Sequence, residues 1–71
     1  MIKSNEELEG TLERIEYFRK QVIYMRQVEK DPASYELSAG GFLAEIDKMN
    51  LEVREYLSLH PSRLEEEQIA A

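Results

Sequence analysis

The chain has 71 residues and no cysteine, and its 15 acidic residues outnumber nine basic residues to give a net charge of −6. This length allows one small domain with a weak core, and the absence of cysteine excludes disulfides and thiolate metal sites as support. The acidic balance argues against a nucleic-acid surface, which requires clustered lysine and arginine. No apolar stretch approaches the ~20 residues that span a bilayer. Residues 1–7 lack the apolar segment of a secretory signal, so we expect a cytoplasmic protein that binds neither nucleic acid nor membrane.

The first predicted helix covers about residues 5–30. Ser4 followed by Glu7 matches a capping box at its start. Asp31-Pro32 interrupts the helical pattern at its end, because the residue before a proline avoids the helical region. Apolar residues recur along this helix at steps of three and four, which predicts one apolar seam. The seam residues are Leu8, Leu12, Ile15, Phe18, Val22 and Met25.

The segment from Pro32 to Gly41 is ambiguous. Asp31 can cap a short turn that has Pro32 in its first position. The pair Gly40-Gly41 suits a hinge or the close approach of two helices. We interpret the segment as a connecting loop.

The second predicted helix covers about residues 41–59 and ends before His60-Pro61. Its apolar repeat consists of Phe42, Ile46, Met49, Val53 and either Tyr56 or Leu57, with Leu43 and Leu51 widening the apolar arc. Residues 61–71 form either a short third helix, over about residues 63–69, or an acidic tail. Ser62 with Glu65 would cap such a helix.

These elements predict an all-α fold, in which residues 1–60 form an antiparallel two-helix hairpin. The two helices have similar lengths, which favours an antiparallel arrangement with a short connection. Two helices give each apolar seam only one neighbour. We therefore expect two hairpins to pair into a four-helix bundle, most simply as a homodimer.

The run Val22-Ile23-Tyr24-Met25 is the strongest indication of an interface between chains. Successive helical residues lie about 100° apart, so four consecutive apolar residues cover nearly every side of the helix. Tyr17 lies seven residues before Tyr24 and so on the same side. We predict a protein interface at these five residues, although core-edge packing within one hairpin is an equal alternative for the tyrosines.

No pattern in the chain indicates catalysis, a cofactor or a metal. A di-metal helical bundle uses inward glutamates with Glu-x-x-His, and this chain has no Glu-x-x-His. The single histidine, His60, is placed at the end of the second helix, where it complements the helix dipole. We predict a protein that is not an enzyme; the alternative is a small metal-dependent enzyme or enzyme subunit.

Three segments resemble the N-terminal helical hairpin of bacterial helix-turn-helix antitoxins, which carry a Cro/repressor-like DNA-binding domain. The segments are MIKSNE (residues 1–6), TLERIEYF (11–18) and LAEIDKMNLEVREY (43–56). The resemblance implies pairing or partner contact by the hairpin. Residues up to Ala71 leave no room for a helix-turn-helix after it, so DNA binding is not expected here.

The predicted function is that of a small helical protein that self-associates and serves as a protein–protein interaction module. The alternative is an antitoxin-like regulatory protein that binds a basic protein partner with its acidic helices.

Overall fold

The computed structural model describes residues 1–63 of the chain. It contains two α-helices, α1 over Asn5–Val28 and α2 over Pro32–Leu57, and residues 29–31 connect them. The Tyr56 hydroxyl near the end of α2 donates a hydrogen bond of 2.8 Å to Oδ1 of Asn5 at the start of α1. The helices therefore run antiparallel, which confirms the prediction of an all-α hairpin; residues 1–63 contain no strand.

The start of α1 is fixed by a variant of the predicted capping box. The Ser4 Oγ accepts a hydrogen bond of 3.2 Å from the backbone N–H of Glu7. The Glu7 carboxylate accepts one of 2.6 Å from the backbone N–H of Lys3, one residue before the cap. Both bonds satisfy N–H groups that have no partner within the helix, and the negative charge of Glu7 suits the positive end of the helix dipole.

The beginning of α2 differs from the prediction by nine residues, because the helix begins at Pro32 rather than near Gly41. Asp31 is the N-cap: its Oδ2 accepts hydrogen bonds from the Ser34 backbone N–H, at 3.3 Å, and from the Ser34 hydroxyl, at 2.8 Å. Proline suits the first helical position, where its missing N–H would lack a partner in any case. The predicted loop is therefore the first part of α2.

The cap also changes the acidity of Asp31. The hydrogen bond from the Ser34 hydroxyl, together with backbone hydrogen bonds from Ser34 and Ala33, lowers the pKa of this carboxyl group below its ordinary value. These donors favour the ionised form because they bind the carboxylate oxygens.

Gly40 and Gly41 do not interrupt α2. Each glycine costs a helix interior about 1 kcal/mol relative to alanine. Neither glycine has a positive φ. Ala39 is buried and Tyr35 is half-buried on the side of α2 that carries Ile46. This packing holds the segment helical despite its glycines, since tertiary contacts override local propensity.

The core lies midway along the hairpin. Ile15 of α1 and Ile46 and Met49 of α2 form its buried cluster, and Phe18 and Val53 pack against it. The ring of Phe18 meets the ring of Phe42 edge to face, with centroids 5.3 Å apart. The core is therefore a single layer of side chains between the two helices.

The seam is more regular than predicted. On α1, Thr11 is half-buried, whereas Leu12 is 46% exposed, so the predicted seam position of Leu12 is wrong. The Thr11 hydroxyl donates a hydrogen bond of 2.9 Å to the Glu7 carbonyl, which satisfies its polar group beside the seam. On α2, Tyr56 is half-buried and Leu57 is exposed, so Tyr56 continues the repeat.

The N-terminal segment adds a residue that the sequence pattern missed. Ile2 precedes α1, yet it is buried. It lines a small cavity with Tyr56 and Leu59, near the far end of α2. Ile2 therefore closes the open end of the hairpin, opposite the connection at residues 29–31.

The end of α2 lies at Leu57, and His60 follows it as the start of a new turn. The His60 carbonyl accepts a hydrogen bond of 2.9 Å from the Arg63 N–H, and its Nδ1 accepts one of 3.2 Å from the Ser62 N–H. His60 therefore lies two residues beyond the Ser58 cap of α2, and its role in complementing the helix dipole stays a prediction. Residues 61–63 are helical; the rest of the predicted third helix or acidic tail lies outside the described residues.

Candidate interaction surface

The structure separates the five predicted interface residues into three groups. Val22 and Met25 are half-buried on the seam side of α1, on the face that carries Ile15. Tyr17 and Tyr24 are each 59% exposed and share one flank of the hairpin. Ile23 is also exposed, but helical geometry turns it about 100° away from Tyr24, toward the opposite flank.

Tyr17 and Tyr24 belong to a second stripe of α1 that runs beside the seam. With Gln21 and Val28 they are spaced by four, three and four residues, which places all four on one side of the helix. The facing flank of α2 carries Ser34, Ser38 and Gly41 at steps of four and three. We call this surface the tyrosine face; its members are Tyr17, Gln21, Tyr24, Val28, Ser34, Ser38 and Gly41.

An open groove of about 300 Å³ crosses the tyrosine face between the two helices. It is lined by Phe18, Ser38, Gly41, Phe42 and Glu45. The ring centroid of Tyr17 lies 6.1 Å from that of Phe18. Together with the contact between Phe18 and Phe42, this makes a continuous row of three aromatic rings from α1 to α2.

The seven residues of the tyrosine face carry no charge, although Glu45 lines one end of its groove, whereas charged residues are interspersed along the opposite flank of α1. The stripe of α1 on the opposite flank contains Leu12 and Ile23, but charged side chains stand between and beside them. The stripe reads Leu12, Glu16, Arg19, Ile23 and Arg26. Single exposed apolar residues among charges are ordinary on protein surfaces, whereas a contiguous apolar patch indicates an interaction site.

Within residues 1–63, no group of three or more histidine, aspartate or glutamate side chains could hold a metal ion. In the same part of the chain, neither helix is long and apolar enough to cross a membrane. The His60 Nδ1 lies 2.9 Å from the Ser62 hydroxyl, a contact within one turn.

Comparison of this chain with protein-family models, with curated proteins and with solved structures finds no match. The resemblance to antitoxin hairpins therefore stays a prediction.

The sequence pattern missed the α2 side of the tyrosine face because Ser34, Ser38 and Gly41 fell in the predicted loop. A signal for them was present. Reading Asp31-Pro32 as an N-cap and first helical residue extends the helix, and the steps from Ser34 to Gly41 then lie on one side of it.

Proposed function

We propose that this protein is a non-enzymatic helical hairpin that self-associates and serves as a protein–protein interaction module. The observation that carries the proposal is the tyrosine face, where Tyr17 and Tyr24 stay largely exposed beside an apolar groove. Tyrosine suits an interface because it offers a large apolar ring and a polar tip that tolerates water before association. Pairing two such hairpins would produce a four-helix bundle.

The energetics of a small chain support association. Within residues 1–63 the buried cluster contains only Ile15, Ile46 and Met49, and a core of this size supplies no more than about 3–5 kcal/mol. An aromatic side chain buries roughly 150–250 Å² when fully covered. Covering the exposed 59% of one tyrosine would thus contribute about 2–4 kcal/mol at ~25 cal/mol per Å², before the entropic cost of association.

The test is light scattering after size exclusion, repeated across protein concentration. We expect a mass that approaches twice the 8.3 kDa monomer as concentration rises. The variant Tyr24→Glu should be monomeric with unchanged helix content by circular dichroism, because it places a charge on the tyrosine face. Its matched control is Leu37→Glu, at an exposed apolar residue on the outer side of α2. A wild-type protein that remains monomeric at every concentration would refute the proposal.

A second candidate is the binding of a basic protein partner, as the antitoxin resemblance implies. Glu6, Glu9, Glu13 and Glu16 are spaced by three, four and three residues and are all exposed, so they form one acidic row on α1. Calorimetric titration with a lysine- and arginine-rich peptide tests it. Binding that weakens with salt and is lost when the four glutamates become glutamine supports this candidate, and no binding at low salt removes it.

A further inference from the structure

We propose that a second copy of this chain covers the tyrosine face in a head-to-head dimer, with both interhelical connections at the same end. In this dimer, α1 of each copy packs against α2 of the other copy, and each Tyr17 lies over the groove of its neighbour. The inference rests on the proposed self-association and specifies the face and the orientation.

The levels of residues along the hairpin follow from two contacts between the helices. Phe18 is level with Phe42, because their rings meet, and Asn5 is level with Tyr56, because their side chains are hydrogen-bonded. Antiparallel helices with equal rise keep this relation along their length. Arg14, four residues before Phe18, is therefore level with residue 46, and Tyr17 is level with residue 43.

A two-fold axis parallel to the long axis of the hairpin preserves these levels between copies. This axis places α1 of one copy opposite α2 of the other copy. Because of the two-fold symmetry, each contact occurs twice in the interface. Tyr17 then lies between the levels of Gly41 and Glu45 of the second copy, and Tyr24 lies between the levels of Ser34 and Ser38 of the second copy. Tyr24 thus meets two serines, and Tyr17 meets Gly41 beside the side chain of Glu45; large side chains opposite small ones give the shape complementarity that a packed interface requires.

Charge complementarity favours the same orientation. Arg14 and Glu45 are exposed and mark the boundary of the uncharged face on α1 and on α2. In the head-to-head dimer, Arg14 lies within one residue of the level of Glu45 of the second copy, so the interface gains two opposite-charge pairs at its rim. Reversing one copy end to end would set the tyrosine face against the adjoining charged part of the same flank, which contains Arg14, Glu45 and Lys48, and would desolvate these charges against uncharged side chains of the second copy.

The available area is suited to a second copy of similar length. Four tyrosines, each 59% exposed, would bury roughly 350–600 Å², about 20–40% of the ~1,600 Å² of a standard interface. The rings of Phe18 and Phe42, the side chains of Gln21 and Val28, and the small residues of α2 lie along the same face and supply further contact area.

The first experiment compares two adjacent glycines. A Cβ built at Gly40 or at Gly41 meets no atom within 4 Å, so Gly40→Gln and Gly41→Gln should both fold and should both gain helix propensity. Only Gly41 lies on the tyrosine face. By sedimentation equilibrium we expect Gly41→Gln to weaken dimerisation at least tenfold and Gly40→Gln to leave it unchanged.

The second experiment tests the orientation by charge reversal. The variants Arg14→Glu and Glu45→Arg should each dimerise more weakly than wild type. In a dimer of either variant, both contacts between positions 14 and 45 join side chains of the same charge. A mixture of the two variants should form a heterodimer, since both contacts then join opposite charges; native mass spectrometry identifies it when one variant carries a mass tag. A pair that acted only within one chain would gain nothing from mixing.

The outcomes separate this inference from the proposed function. A wild-type protein that stays monomeric overturns both. A wild-type dimer that tolerates Gly41→Gln as well as it tolerates Gly40→Gln overturns the face but leaves self-association in place. Loss of the dimer in Gly41→Gln without a heterodimer in the mixture overturns the head-to-head orientation.

Discussion

Replacing Gly40 with alanine should stabilise the folded chain, although the pair Gly40-Gly41 gives the impression of a hinge in the sequence. Gly40 lies inside α2, has no positive φ, and leaves open space where a Cβ would stand. Alanine should therefore gain its full helix propensity of about 0.8–1.0 kcal/mol without a steric cost. In a domain of this size, 1 kcal/mol corresponds to a shift of about 4–8 °C, so we expect a Tm about 3–8 °C higher.

The assay is thermal unfolding followed by circular dichroism at 222 nm, at a protein concentration low enough to keep the chain monomeric. Gly10→Ala is the calibrating variant, because Gly10 is exposed inside α1 and its Cβ would also meet nothing within 4 Å. Equal gains at the two sites are expected. A clear gain for Gly10→Ala with no change or a loss for Gly40→Ala would mean that the segment from Pro32 is not a stable helix, and would refute the reasoning.

Three further changes test the rest of the fold. Ile46→Ala should cost about 2–5 kcal/mol in the free energy of unfolding, because it opens a cavity in the buried cluster; urea unfolding measures it, and Leu37→Ala, at a residue 83% exposed, should change stability by less than about 0.5 kcal/mol. Asp31→Ala should lower the Tm at pH 7, where the N-cap carboxylate is ionised. Since the folded-state pKa of Asp31 is lowered, its contribution is present above the unfolded pKa of ~3.9 and disappears as the pH falls through the folded value, so the Tm difference should vanish in acid. Tyr56→Phe removes the hydrogen bond to Asn5 and should cost about 0.5–1 kcal/mol, seen as a lower midpoint in urea with an unchanged slope; an unchanged midpoint would show that this bond adds nothing to the closed hairpin.

The sequence was sufficient for the fold class and for most of the seam, because helical periodicity is a local property. The steps from Ile15 to Met25 and from Phe42 to Val53 identify the buried or half-buried side of each helix. Leu12 shows where this reasoning fails. An apolar pattern selects leucine, whereas strict spacing selects Thr11, whose hydroxyl donates a hydrogen bond to the Glu7 carbonyl.

Two other features depend on information that lies beyond local pattern. The helical segment after Pro32 contains two glycines, and its conformation follows from the cap at Asp31 and from packing around Ala39. To predict the tyrosine face, one must know which residues of α1 lie beside which residues of α2. The contact between Phe18 and Phe42 establishes this alignment. The periodicity of one helix alone places Tyr17 and Tyr24 on one side of α1, but it does not place a groove beside them.

The position of the tyrosine face has a consequence for stability, because the face exists only when both helices are in place. Its groove has walls from α1 and from α2, so a second copy that binds there binds the closed hairpin and not the unfolded chain. Such binding stabilises the folded state by mass action, by about 2.7 kcal/mol when the partner concentration exceeds the Kd a hundredfold. This amount is comparable with the ~3–5 kcal/mol that a core of this size supplies. Folding and association of this chain would then be linked. The tyrosines that are exposed to water in the isolated hairpin would be covered in the dimer and would add to the stability that the core supplies.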